Sequence, residues 1–146
     1  MTATSIDKSV SIWMNGYCDT IPRFGGYAAL LTWGAHEKTV DGARPHTTIN
    51  RMKVMAVIVA MEALKRPCNV VLYSDSQYVI NGCANWAREA RQRGWRGSGG
   101  KPFKNADLWE RLLVLDAKHF VKYIWQQRGS RESNLVDALA RKRAVM

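Results

Sequence analysis

The sequence predicts an α/β fold: a mixed five-stranded sheet flanked by helices. Two observations carry that expectation. Short apolar runs crowd together before residue 41. Beyond residue 48, runs of that kind alternate with stretches whose apolar residues recur every three or four positions. No internal repeat and no long linker divides the 146 residues, so a single domain over 1–146 is expected.

The elements follow in order. Val10 to Met14 reads as a first strand entering a turn at Gly16. Gly25 and Gly26 open a second, hairpin-type strand, Tyr27 to Trp33, and Glu37 to Val40 reads as a short third. From Thr48 to Leu64 the residues Met52, Met55, Val59, Ala60, Ala63 and Leu64 give an amphipathic helix that Pro67 stops. Asn69 to Tyr73 is a β-branched run suited to a buried strand, and Ser76 to Trp86 follows as a helix. Residues 87–105 form a basic, glycine-dotted stretch. Asp107 to Lys118 is helical, with Asn105 or Asp107 as cap and Leu108, Leu112 and Leu115 on one face. Phe120 to Trp125 is the last strand, and Glu132 to Arg143 a terminal helix packed through Leu135 and Leu139.

Composition narrows the class. With 47% hydrophobic and 23% charged residues the chain reads as globular. No apolar run approaches the ~20 residues of a membrane span, and the N-terminus lacks the apolar core of a secretory signal. A cytoplasmic protein without membrane attachment, and a monomer, is expected. Three widely spaced cysteines, Cys18, Cys68 and Cys83, suggest neither a disulfide framework nor a zinc cluster. A formal charge of +10 favours polyanionic partners, nucleic acid first, with an acidic protein as the other class.

Four segments carry the chemistry: Trp13-Met14-Asn15-Gly16, Asn50-Arg51-Met52-Lys53-Val54-Met55, Tyr73-Ser74-Asp75-Ser76-Gln77-Tyr78-Val79 and Asp107-Leu108-Trp109-Glu110-Arg111-Leu112. Singly they are bland. Ser74-Asp75-Ser76 stands at a strand-to-helix junction where Asp and Ser are ordinary caps, and Asp137 alone is an unremarkable helix residue. Together they closely resemble the ribonuclease HI family over residues 9–143, which implies an RNase H-like fold with a basic protrusion. That family cuts the RNA strand of RNA–DNA hybrids with two Mg²⁺ ions held by four carboxylates. The resemblance maps those four positions onto Asn15, Lys53, Asp75 and Asp137. Two carboxylates are therefore replaced, one by an amide and one by an ammonium.

Two Mg²⁺ ions need hard oxygen ligands. Asn15 keeps a neutral carbonyl oxygen, whereas Lys53 adds a cation where the family's glutamate bridges metal. The expectation is that Lys53 takes the space of the ions and forms a salt bridge with Asp75 and Asp137, so that no metal or other cofactor is held. Mg²⁺ or Mn²⁺ on Asp75 and Asp137, helped by Asn15 or Asp19, belongs to the alternative of a weak nuclease. A third departure agrees with the first two. Active members carry a histidine-bearing loop before the last helix; residues 126–134 here hold no histidine and are about two shorter than the family pattern. His36, His46 and His119 lie elsewhere in sequence, and Arg128 and Arg131 are always protonated, hence poor acids or bases.

The binding surface is better preserved. Residues 88–104 hold Arg88, Arg91, Arg93, Arg96, Lys101 and Lys104, with Trp86 just before and Trp95 within. The resemblance aligns this stretch with the family's protrusion, which lies against the DNA strand. The tryptophans either offer flat faces to sugars and bases or pack a small core of their own. Cys18, Asn50 and Gln77 match polar contacts of the family, while Ile21, Ile49 and Ala90 depart from its usual Asn, Asn and Trp. The expected function is therefore binding of hybrid or duplex without efficient cleavage. The alternatives are a weak metal-dependent hybrid ribonuclease and a protein-interaction module.

Overall fold

The computed structural model describes residues 9–20 and 23–145; Ile21 lies outside them. Its elements are β1 (Ser9–Cys18), β2 (Phe24–Trp33), β3 (His36–Pro45), α1 (Ile49–Glu62), β4 (Asn69–Ser74), α2 (Gln77–Asn81), α3 (Ala87–Gln92), α4 (Ala106–Asp116), β5 (Phe120–Trp125) and α5 (Arg131–Ala144). The sheet order is β3-β2-β1-β4-β5. β1, β2 and β3 run antiparallel as a meander, and β4 and β5 lie parallel to β1.

One face of the sheet packs on α1 and α2, with α4 against α1, around the main core, which includes Ile12, Leu31, Met52, Ile58, Leu72 and Trp109. The other face meets α5 through Ala28, Leu30, Val136 and Ala140. α1 opens on a capping bond: Thr48 accepts from the Arg51 N–H. α5 opens likewise, with Ser130 accepting from the Ser133 N–H.

β2 begins at Phe24, with Gly25 and Gly26 paired to β1 inside it, and three further boundaries differ from expectation for physical reasons. β1 runs through Asn15 and Gly16 instead of turning there, because Gly16 pairs with Tyr27 across the hairpin. β3 extends to Pro45 because it pairs with β2 along its whole length. Its side chains are mostly exposed, so no apolar alternation marks it. The second helix does not stop at Trp86. A π-helical turn, Gly82–Trp86, joins α2 to α3, and a Cβ on Gly82 would come within 2.4 Å of the Trp109 ring. Asn105 does occupy the cap position of α4, yet in a left-handed conformation (φ 66°) without a capping bond. Its amide instead donates to the Tyr78 hydroxyl at 3.0 Å.

Candidate active site and nucleic-acid interface

The carboxyl ends of β1 and β4 and the start of α5 converge on one small cleft, lined among others by Asn15, Asp75, Gln126 and Arg128. Asn15, only 7% exposed, is held at both ends of its amide. Nδ2 donates to Asp137 Oδ1 at 2.9 Å, and Oδ1 accepts from the Gly16 N–H at 2.9 Å. Gly16 also lets α1 approach: a Cβ there would lie 2.4 Å from the Lys53 backbone nitrogen. The backbones at 15 and 53 are therefore neighbours, as the resemblance implies.

The cation on the carboxylates is not Lys53. Arg128 Nε donates to Asp75 Oδ2 at 2.8 Å, and another guanidinium nitrogen stands 3.9 Å from Asp137 Oδ1. Arg141, one helical turn past Asp137, donates to its second oxygen at 3.1 Å. Among the described residues Lys53 forms no ion pair with Asp75 or Asp137, which corrects the expected bridge. The cause is the short connection from β5 to α5. It carries Arg128 directly over the end of β4, where its long flexible stem reaches Asp75, and Gly129 (φ 123°) then turns the chain into α5. Arg131 is committed elsewhere, to Glu37 of β3.

The donor set does not fit two divalent ions. Two carboxylates face two guanidiniums, so the fixed negative charge of the cleft is already cancelled within the chain. Among the described residues no three His, Cys, Asp or Glu side chains gather closely enough to hold a metal ion. Asp19 does not rebuild the set. Its carboxylate acts instead on the Tyr17 hydroxyl, as the leading cause of that phenol's raised pKa.

The basic segment divides into paired and unpaired cations. Arg88 bonds Asp116 at 2.6 Å, and Arg91 grips Glu110 through two nitrogens at 3.0 and 3.2 Å. The Arg91 and Trp95 hydrogen bonds hold the Glu110 carboxyl below its usual pKa. Arg93, Arg96, Lys101 and Lys104 are exposed and have no carboxylate partner among the described residues. Trp86 and Trp95 are half-buried. Trp86 contacts the rings of Tyr78, Phe103 and Trp109, and Trp95 contacts Phe103 while donating to Glu110 at 3.1 Å. They brace the segment from within. Ala90, where the family pattern has tryptophan, is fully buried beneath it.

Across the groove, Asn50 is half-buried in the first turn of α1, next to the exposed Ile49. Gln77 is exposed at the start of α2. The Cys18 thiol points at the carbonyls of Asp19 and Thr47, and burial raises its pKa. The Asp137/Arg141 pair is visible in the sequence only as i, i+4 spacing on a helix, which many solvated residue pairs share. Arg128 as counter-ion had no local signal.

Comparison with known proteins agrees with this architecture. The RNase H family model matches residues 7–145. A ribonuclease H of Rhodopseudomonas palustris is 44% identical over 136 residues, spanning 92% of this chain and 88% of that protein. One from Escherichia coli is 44% identical over 140 residues, spanning 94% and 90%. The crystal structure of LC9-RNase H1, described as a type 1 RNase H with the type 2 active-site motif, shares the fold with a TM-score of 0.85 at 24% identity, over 99% of this chain and 75% of that one. On the strength of the family match and of these relatives, the chain belongs to the ribonuclease H family.

Proposed function

We propose that this chain binds RNA–DNA hybrid or duplex nucleic acid without cleaving it efficiently, as a catalytically degenerate member of its family. The observation that carries this reading is the Arg128 guanidinium, 2.8 Å from Asp75 and 3.9 Å from Asp137. Two-metal cleavage requires carboxylates free to ligate. Here each surviving carboxylate already has a cationic partner, and positions 15 and 53 supply an amide and an ammonium. The binding half rests on the four unpaired cations at 93, 96, 101 and 104 and on the net charge of +10. Such contacts grip phosphates and read little sequence, so selectivity for hybrid over duplex is expected to be weak.

The test uses a labelled RNA–DNA hybrid with Mg²⁺ or Mn²⁺. The native chain is expected to bind with strong salt sensitivity and leave the RNA intact. Asn15→Asp combined with Lys53→Glu is expected to recover at most a trace of cleavage, limited by Arg128 and the short 126–134 segment. Cleavage by the native chain that vanishes in Asp75→Asn refutes the proposal. It would support a second reading, a weak metal-dependent hybrid ribonuclease using Asp75 and Asp137. That reading is favoured by relatives at 41–44% identity that carry the name ribonuclease H.

A further inference from the structure

α5 covers only part of its side of the sheet, packing across β1, β2 and β3. The strand register aligns Trp13 with Tyr73 and Tyr73 with Ile124. Two residues back along the strands it aligns Val71 with Lys122. Residues paired across a sheet, and alternate residues along a strand, share a face. Val71, Tyr73, Phe120, Lys122 and Ile124 therefore lie on the α5 side, in the half that α5 leaves bare. None of the five is fully buried, although four are apolar or aromatic, and Phe120 is 63% exposed. Trp13 borders this patch: it stacks on Tyr73 at 4.9 Å and 17°, and packs toward the α5 cluster on its other side.

Geometry and charge indicate what covers it. Five strands spaced about 4.8 Å apart span about 19 Å, and α5 takes about 10 Å of that, so the remaining width suits one more helix. Lys122 is the one charged residue of the patch; it is exposed and has no carboxylate partner among the described residues. No acid stands among these five residues; the nearest along β4, Asp75, is held by Arg128 where Tyr73 meets the cleft, and the chain carries +10 overall. A second copy of the chain would set Lys122 against Lys122 across two strongly basic bodies. A nucleic-acid strand fits poorly, because one lysine grips one phosphate and the two large rings already face each other.

We propose that the bare half of the sheet is a docking surface for one amphipathic helix of an acidic partner protein. Its apolar stripe rests on Val71, Tyr73, Phe120 and Ile124, and its acidic flank faces Lys122. The probe is a fluorescein-labelled helical peptide of about 18 residues, with leucine at i, i+3, i+4 and i+7 and glutamate flanks. A sister peptide has the same leucines and lysine flanks. The acidic peptide is expected to bind at least about tenfold more tightly than the basic one, and to weaken by about tenfold in Phe120→Glu and in Lys122→Glu. Both changes are at the surface, and hybrid binding is expected to stay at the native level in both, which also reports that they are folded. Four results overturn the proposal: equal binding of the two peptides, acidic-peptide binding that survives Phe120→Glu, loss of hybrid binding in a Phe120→Glu protein whose urea midpoint is native, or a dimer in sedimentation equilibrium that Phe120→Glu dissolves.

Discussion

Replacing Arg128 by alanine removes the cation closest to Asp75 and frees both carboxylates from their shared partner. Two unit charges 4 Å apart interact by about 4 kcal/mol at an effective dielectric of 20, and a divalent ion beside a guanidinium doubles that repulsion to about 8 kcal/mol. The Arg128 side chain is 57% exposed, so screening dominates. Exposed ion pairs are worth up to about 1 kcal/mol. Doubled for a divalent ion, the effect becomes about 2 kcal/mol, or about 30-fold in affinity. Arg128→Ala is therefore expected to bind Mn²⁺ about 30-fold more tightly than the native chain. Calorimetric titration of both proteins measures this without any dependence on turnover. A native Mn²⁺ affinity unchanged by the substitution refutes the argument that this side chain excludes the ion. Lys53→Ala, whose ammonium pairs with neither carboxylate, is expected to have the smaller effect.

The same geometry fixes other outcomes. Reversing charge at Arg93, Lys101 and Lys104 is expected to weaken duplex binding and flatten its log–log salt slope by about 3, one for each lost phosphate contact. Arg88→Glu breaks the bond to Asp116 and is expected to act mainly on stability, read as a lower urea midpoint. Trp109→Ala empties the fully buried heart of the aromatic cluster and is expected to cost about 3–5 kcal/mol in chemical denaturation. Asp107 and Glu110 have lowered pKa values, each caused first by an arginine hydrogen bond, from Arg51 and Arg91 respectively. A carboxyl with a depressed folded pKa contributes stability above its unfolded pKa and loses it as pH falls through the folded one. Melting temperature is therefore expected to drop as pH falls below about 4. The drop is expected to be shallower in Arg51→Gln and Arg91→Gln.

The legible part of this protein was the part written in periodicity and local chemistry. α1 and β5 follow from apolar spacing, and Ser76, which caps α2, follows from its place after a strand. The extent of β3 was hidden because an exposed edge strand has no apolar face to advertise. The π-helical turn has no local signal; its first residue, Gly82, sits against an indole from α4, 27 positions away in sequence. Convergence of residues 15, 75 and 137 was legible only through the resemblance. The identity of the cation was not. Lys53 and Arg128 are both basic residues near the site, and choosing between them needs the path of the chain after β5. Likewise Trp86 and Trp95 are aromatic residues amid cations in the sequence, and only the positions of Phe103 and Tyr78 make them internal struts.

Carboxylates crowded at the end of a sheet repel one another, and an enzyme built that way stores the tension until dissolved ions relieve it. Arg128 supplies the relief covalently, as a permanent guest on the chain's own tether. Folding of this protein is thereby expected to need no divalent ion, and at matched ionic strength its melting temperature is expected to be the same in chelator as in millimolar magnesium.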